Sequence, residues 1–272
     1  MELDLGGRVV LVTGAARGIG RVIADTFVAE RSVVVGVDVA VDALGWLDDA
    51  RAAAGLDGAA LACDVTDGPA TRALVDDVVA RFGRVDVLVN NAGINVEGRI
   101  EDLDDDAWDR CFAVNVGGVF KMCRAVAPAM KAQRSGRIVN AASFAAIVPS
   151  VGAGAYAASK SAVVQLTRTL AGELGPCGIT ANAYAPGMIP TAMNGFADMP
   201  AATQDRLLDT LTLRRWGEPQ EVADVVVFLA SDAARYVTGT LIDVSGGKLA
   251  TQLPQKAYEL PDAPGADEGV QP

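Results

Sequence analysis

Arg8-Val9-Val10-Leu11-Val12-Thr13-Gly14-Ala15-Ala16-Arg17-Gly18-Ile19-Gly20 decides the fold. A β-prone apolar run meets glycines and then Val22, Ile23, Thr26 and Phe27 at helical spacing, which predicts a strand, a tight turn and a helix. Gly14 permits the turn, Gly18 lets backbone approach a pyrophosphate, and Gly20 lets the helix sit close on the sheet. A phosphate would then meet the helix N-terminus. The spacing Gly-x-x-x-Gly-x-Gly holds one residue more than the Gly-x-Gly-x-x-Gly fingerprint, so a plain glycine-rich loop is the rival reading at this point.

The next apolar run, Val33-Val34-Val35-Gly36-Val37-Asp38, ends on a carboxylate eighteen residues after Gly20. An acid at the end of a second strand accepts hydrogen bonds from ribose hydroxyls and repels a 2′-phosphate, so NAD(H) is expected in preference to NADP(H). Val39 and Ala40 supply no cation, and Arg17 is the residue that could reach a 2′-phosphate. The alternative for Asp38 is an N-cap of the following segment.

Further buried runs recur at Ala59 to Cys63, Val85 to Asn90, Arg137 to Ala141, Ile179 to Tyr184 and Thr240 to Val244, separated by helical patterns. Continuous apolar strands alternating with helices predict an α/β fold, a Rossmann-type doubly wound parallel sheet of about seven strands in three α/β/α layers. Residues 1–248 read as one catalytic domain and 249–272 as a C-terminal arm. The arm holds four of the twelve prolines; Leu249 to Leu260 is expected to pack on a neighbouring subunit and Pro261 to Pro272 to be mobile. Ile138 to Ser159 lacks charge over twenty-two positions, but Asn140, Pro149, Gly152 and Gly154 interrupt it. A strand, a loop and a helix start are expected there, not a membrane span.

Composition excludes several roles. With 23 Lys+Arg against 34 Asp+Glu the net charge is −11, which argues against nucleic acid or an anionic membrane as main partner. Glu101 to Asp106, acidic apart from Leu103, reads as the charged start of a long helix rather than a metal site. Cys63, Cys111, Cys123 and Cys177 lie far apart and read as reduced packing residues. With no histidine in the chain, metal is not expected and histidine cannot serve as general base. The N-terminal residues lack a signal-peptide pattern, so a cytoplasmic location is expected.

Tyr156 and Lys160 stand four apart, which on a helix places phenol and ammonium side by side. A cation there favours phenolate and makes the tyrosine a proton carrier near neutral pH; an ordinary solvated pair is the rival reading. Ser143 lies thirteen residues upstream, and Asn115 twenty-eight before that. Together with Thr13 to Gly20, Cys63-Asp64-Val65, Asn90-Asn91-Ala92-Gly93 and Pro186-Gly187, these motifs make residues 5 to about 248 resemble the main, single-domain branch of the short-chain dehydrogenase/reductase family.

The resemblance implies an NAD(H)-dependent enzyme that interconverts a secondary alcohol and a ketone. Tyr156 would act as general acid/base, Ser143 would bind the substrate oxygen, Lys160 would lower the phenol pKa and hold the nicotinamide ribose, and Asn115 would anchor a water leading from Lys160 to solvent. For Asn115, a helix kink or a side-chain-to-backbone contact stays open. Gly14, Arg17, Gly18, Ile19, Gly20 and Asp38 would bind the cofactor. Asp64 and Val65 would contact the adenine, Asn91, Ala92 and Gly93 the adenosine side, and Pro186, Gly187, Ile189 and Thr191 the nicotinamide.

The resemblance further implies a substrate lid at about 188–216. Asn95, Phe144, Met188, Met193 and Phe196 are the pocket candidates, with Val96, Ile147, Val148, Ile189 and Met199 beside them, and core packing is the alternative for each. Arg214 and Arg215 near the lid end are the nearest cations, and none obviously awaits a substrate anion. A small-molecule alcohol or ketone is the expected partner, and the resemblance implies a homotetramer, with a homodimer the alternative. A 3-oxoacyl-carrier-protein reductase is the second function considered, disfavoured by the acidic charge and Asp38. A catalytically silent dinucleotide sensor is the third.

Overall fold

In this computed structural model, residues 3–192 and 194–259 are described. Met193 and the mobile segment expected from Pro261 to Pro272 lie outside the described residues.

Strand β1 (Val9–Thr13) is fully buried, and its side chains divide between two faces. Val10 and Val12 join one apolar layer with Ile23 and Phe27 of α1 (Gly18–Ala29) and Val222 and Val226 of α8 (Pro219–Ala230). Val9 and Leu11 join the other, with Val78 of α3 (Gly68–Phe82), Val126 of α5 (Val119–Gln133) and Val163 of α6 (Gly154–Leu174). Burial on both faces is why the strand sequence is continuously apolar. Truncating a core residue such as Leu11 to alanine would cost about 3 kcal/mol.

Seven parallel strands form one sheet in the order β3-β2-β1-β4-β5-β6-β7. The remaining strands are β2 (Val33–Asp38), β3 (Gly58–Ala62), β4 (Val87–Asn90), β5 (Gly136–Ala141), β6 (Ile179–Pro186) and β7 (Leu241–Val244). The chain winds outward from β1 in both directions, so a crevice opens between the carboxyl ends of β1 and β4, where ligands of such sheets bind. Thr13 and Asn90 end level with each other there. Helices α2 (Gly45–Ala54), α4 (Asp105–Phe112) and α7 (Ala201–Leu208) complete the set.

Two strand ends differ from expectation by more than one residue, for local reasons. Val85 is left outside β4 because the Gln133 side chain takes both its backbone groups, accepting from Val85 N at 3.0 Å and donating to Val85 O at 2.9 Å. Strand β6 extends past Tyr184 to Pro186, which pairs with Val244. Ala183 and Gly187 donate toward β7, so the N–H that Pro186 lacks would point toward β5, which ends at Ala141. A proline costs no ladder bond there.

The acidic cluster starts a helix, as its composition suggested. Asp104 accepts from Ala107 N at 2.6 Å, and Asp105 and Asp106 occupy the first turn of α4. Helix α4 continues through a π turn, Ala113–Gly118, into α5. The uncharged stretch from Ile138 is a strand, a loop and the start of α6. Among the described residues no helix is long and apolar enough to cross a membrane, and no His/Cys/Asp/Glu cluster could hold a metal ion. All four cysteines are free thiols, three of them buried.

Candidate active site

Gly14 (φ +68°) and Gly18 (φ +57°) both adopt the left-handed backbone that glycine tolerates best. Gly20 is needed for a different reason: a Cβ there would lie 2.1 Å from Gly14 O and 2.3 Å from Asn91 Nδ2. Helix α1 thus starts against the end of β1. Its N-terminus carries no side-chain cap and no acid in its first turn, which leaves backbone donors and the positive end of the helix dipole for an anion. A Cβ on Gly18 would find only Thr191 Cγ2, at 3.9 Å, so Thr191 stands across from the glycine turn.

Asp38 closes the same turn. Its Oδ2 accepts from Ala16 N and its Oδ1 from Ala40 N, both at 3.1 Å. The carboxylate therefore faces the glycine loop and does not cap a helix; the short 3₁₀ turn after it, Val41–Leu44, starts from Ala40. Among the described residues no cation pairs with Asp38, and Arg17 is exposed. Asp64 turns its Oδ1 to Thr66 N at 2.8 Å. Val65 is buried against Gly118, where a Cβ would come within 2.6 Å of Val65 Cγ2.

Thr13 and Asn91 lock β1 to β4. Thr13 Oγ1 accepts from Asn91 N and Ala92 N, both at 3.1 Å, and Asn91 Nδ2 donates to Thr13 O and Gly14 O. Asn91 Oδ1 accepts from the buried Tyr184 hydroxyl at 3.1 Å. Gly93 then passes directly over the inner polar groups: a Cβ there would stand 3.1 Å from Asn115 Oδ1 and 3.4 Å from Lys160 Nζ. The residues expected to bind a cofactor and those expected to transfer a proton thus share one wall. The residues present suit a dinucleotide: Gly14, Gly18 and Gly20 would take the phosphates, Asp38 would take a ribose, and Gly93 leads toward Lys160.

Ser143 follows β5 and accepts from Ala145 N at 3.1 Å, starting the 3₁₀ turn Phe144–Ala146. Tyr156 is on the first turn of α6, with the Ser143 side chain the neighbour that favours its charged form. Lys160, 4% exposed, donates to Ala141 O at 2.8 Å, and its Nζ lies 5.7 Å from the Tyr156 ring centre. Ser143, Tyr156 and Lys160 therefore meet at the carboxyl end of β5.

The electrostatics correct one expectation. Burial pushes the Tyr156 phenol above its ordinary value, and the Ser143 side chain opposes this only in part. Burial lowers Lys160 itself to about 8. Desolvation penalises each charged form and outweighs the effect read from the four-residue spacing. Tyr156 stands as a protonated phenol, ready to give a proton rather than to take one.

Asn115 sits in the π turn, fully buried, and clamps a loop: its Oδ1 accepts from Ile94 N at 2.9 Å and its Nδ2 donates to Ile94 O at 3.0 Å. The side-chain-to-backbone contact left open by the sequence is present. The same Nδ2 donates to Ser159 Oγ at 3.0 Å.

On the substrate side, Phe144 is buried beside Lys248, whose Nζ lies 5.3 Å from its ring centre. Asn95 Nδ2 donates to Glu97 at 2.8 Å, while its Oδ1 is buried without a partner. Phe196 stacks on Trp216 at 5.5 Å. Ile147 and Val148 are exposed at the rim. Several candidates are core instead. Val96 packs with Cys111 and Ala155, Met188 is buried, and Ile189 belongs to the apolar layer under α8. Arg214 and Arg215 are taken by Asp209 and Glu221.

Sequence reasoning passed over Thr13 as a site residue, and also Tyr184, Ser159, Asn194 and Lys248. Asn194 organises the lid, donating to Ile189 O at 2.7 Å and accepting from Thr191 N at 3.1 Å. Its position shortly after Pro186-Gly187 was the available signal, since Asn side chains commonly close loop turns.

A family model described as enoyl-(acyl carrier protein) reductase matches residues 14–248. The 3-oxoacyl-(acyl-carrier-protein) reductase FabG of Thermotoga maritima is 40% identical over 247 residues, covering 90% of this chain and 99% of that protein. Among solved structures, a gluconate 5-dehydrogenase from Burkholderia cenocepacia in complex with NADP and tartrate has 33% identity and a TM-score of 0.88, over 92% of this chain and 98% of that one. An NAD+-bound xylitol dehydrogenase has 31% identity and a TM-score of 0.86, over 90% and 100% respectively.

Proposed function

We propose a specific chemistry from a plain premise: the chain belongs to the short-chain dehydrogenase/reductase family, and so is an oxidoreductase acting on CH–OH donors and the matching carbonyls. The reading is an NAD(H)-dependent interconversion of a small secondary alcohol, polyol or sugar with its ketone. The observation that carries it is the gathering of Ser143, Tyr156 and Lys160 at the carboxyl end of β5, with Lys160 Nζ 5.7 Å from the Tyr156 ring centre and 3.4 Å from where a Cβ on Gly93 would stand.

The bound nicotinamide would supply or accept the hydride. Every other part falls to this chain. Ser143 donates to the substrate oxygen as charge builds on it, a preorganised contact of a kind whose loss costs roughly 3 kcal/mol in the barrier. Tyr156 gives its hydroxyl proton to that oxygen in reduction and takes it back in oxidation. Lys160, charged below about pH 8, stabilises the phenolate left behind; it is buried, donating to Ala141 O near the Tyr156 ring.

Preference for NAD(H) rests on Asp38, whose carboxylate would repel a 2′-phosphate. The xylitol dehydrogenase with NAD+ supports such usage, and the gluconate 5-dehydrogenase with NADP shows that this fold takes either. Exposed Trp108 and Phe120 on α4 and α5 support a homotetramer built through these helices, and light scattering tests it.

The second reading, a 3-oxoacyl-carrier-protein reductase, is favoured by the FabG relatives. Against it stand Asp38 and the net charge of −11, since an acidic carrier protein needs a basic docking face. The deciding assay follows NADH and NADPH oxidation with a panel of small ketones and with a 3-oxoacyl-carrier protein. Faster NADH-linked turnover of the free ketones is expected. Faster NADPH-linked turnover of the carrier-bound thioester would replace the first reading with the second.

A further inference from the structure

Two consecutive glycines, Gly246 (φ +67°) and Gly247 (φ +73°), follow β7 and deliver Lys248. Their turn is pinned on several sides. Leu213 N donates to Gly246 O at 3.0 Å, Thr212 Oγ1 to Gly247 O at 2.9 Å, and Lys248 N to Ser245 Oγ at 3.1 Å. Ser245 also lies against Gly187, where a Cβ would stand 2.6 Å from Ser245 Cα. Lys248 therefore leaves a fixed backbone at the base of the lid.

Its ammonium lies 5.3 Å from the ring centre of Phe144, the residue directly after Ser143. The neighbouring cations are neutralised, Arg214 by Asp209 and Arg215 by Glu221. Among the described residues no carboxylate pairs with Lys248, although burial already holds its pKa below the ordinary lysine value. A partly buried, unpaired ammonium costs free energy that an anion placed beside it would recover.

We propose that Lys248 is an anion-recognition residue of the crevice and that the molecule carrying the reacting alcohol or ketone also bears a carboxylate. A single ammonium matches the single charge of a carboxylate; a phosphate calls for a cluster of donors that this wall lacks once Arg214 and Arg215 are paired. The inference rests on the oxidoreductase reading and narrows its substrate class to oxo and hydroxy acids.

Calorimetry on the full chain, saturated with whichever of NADH and NADPH it binds, tests this with linear oxo acids of graded length and their methyl esters. The expected result is that at least one acid binds about tenfold or more tighter than its ester. That ratio should fall toward one in Lys248→Met, which keeps an apolar stem on Phe144, and return in Lys248→Arg. Equal binding of acid and ester to the unaltered protein, binding of neither, or an unchanged ratio in Lys248→Met would overturn the proposal. Nucleotide oxidation followed in parallel separates the two claims. An acid preference without turnover leaves the anion site standing and removes the catalytic reading, whereas turnover of esters without acid preference does the reverse.

Discussion

Asn115 and Ser159 are joined by a 3.0 Å hydrogen bond from Asn115 Nδ2 to Ser159 Oγ, and that hydroxyl donates in turn to Tyr156 O at 2.7 Å. The π turn and the first turn of α6 are thereby tied together beneath Tyr156 and Lys160. Ser159 is a positioning residue in this arrangement. Ser159→Ala should lower kcat about tenfold with a smaller change in KM, while costing about 1–2 kcal/mol of stability. Steady-state kinetics beside thermal unfolding checks this; a lowered Tm with unchanged kcat would mean that Ser159 only holds the fold.

Tyr156→Phe removes the proton carrier and keeps the ring. Turnover should fall by roughly 100- to 10,000-fold, with nucleotide affinity, read by fluorescence titration, changed by no more than a few-fold. Retained turnover would take Tyr156 out of the reaction, whatever happened to binding.

The buried ammonium sets a pH dependence whose sign can be worked out. Lys160 titrates at about 8 in the folded protein against an ordinary 10.5. Reductive kcat/KM should therefore decline as pH rises through about 8, as the charge that stabilises the Tyr156 phenolate is lost. Stability moves the other way. Between about 8 and 10.5 the unfolded chain holds a proton that the folded chain has released, so the contribution of this residue to stability rises with pH, and below 8 the burial penalty is present in full. Denaturant titrations at graded pH should show that slope in the unaltered chain and a flatter one in Lys160→Met.

Gly20→Ala tests the phosphate cradle. The added methyl would meet Gly14 O at 2.1 Å, and because that atom is backbone, the turn itself must move. Loss of nucleotide binding by at least about tenfold and a destabilisation of about 1–3 kcal/mol are expected. Unaltered affinity, read by calorimetry, would show that the dinucleotide does not use this turn.

What could be read from the chain alone divides by physical cause. The strands were legible because both sheet faces are covered, so Val9–Thr13 and Val33–Asp38 carry unbroken apolar runs. Tyr156 and Lys160 were legible because one helical turn fixes their relation. Thr13, Tyr184 and Ser159 were not, since each has its role through partners distant in sequence or through a local bond that spacing does not reveal. The direction of the Tyr156 shift was misread for the same reason: a four-residue spacing reports a neighbour, whereas burial is a property of the assembled crevice. Val96 and Ile189 looked like pocket residues by position and are core by packing. Lys248 gave no signal because its neighbours, Phe144 and the lid, lie far away in the chain.

Asp38 serves two purposes that a single substitution can separate. Through Ala16 N it steadies the glycine turn, a contribution felt by both nucleotides alike. Through its charge it opposes a 2′-phosphate, an effect felt by NADP(H) alone. Asp38→Asn keeps a side-chain acceptor and deletes the charge, so any loosening of the turn should weaken both cofactors while the ratio of their kcat/KM values reports the charge. That ratio is expected to move toward NADPH by about tenfold or more, the scale of one removed like-charge contact near a protein surface. An unchanged ratio would assign discrimination at the ribose to another group, with the exposed Arg17 the next residue to replace.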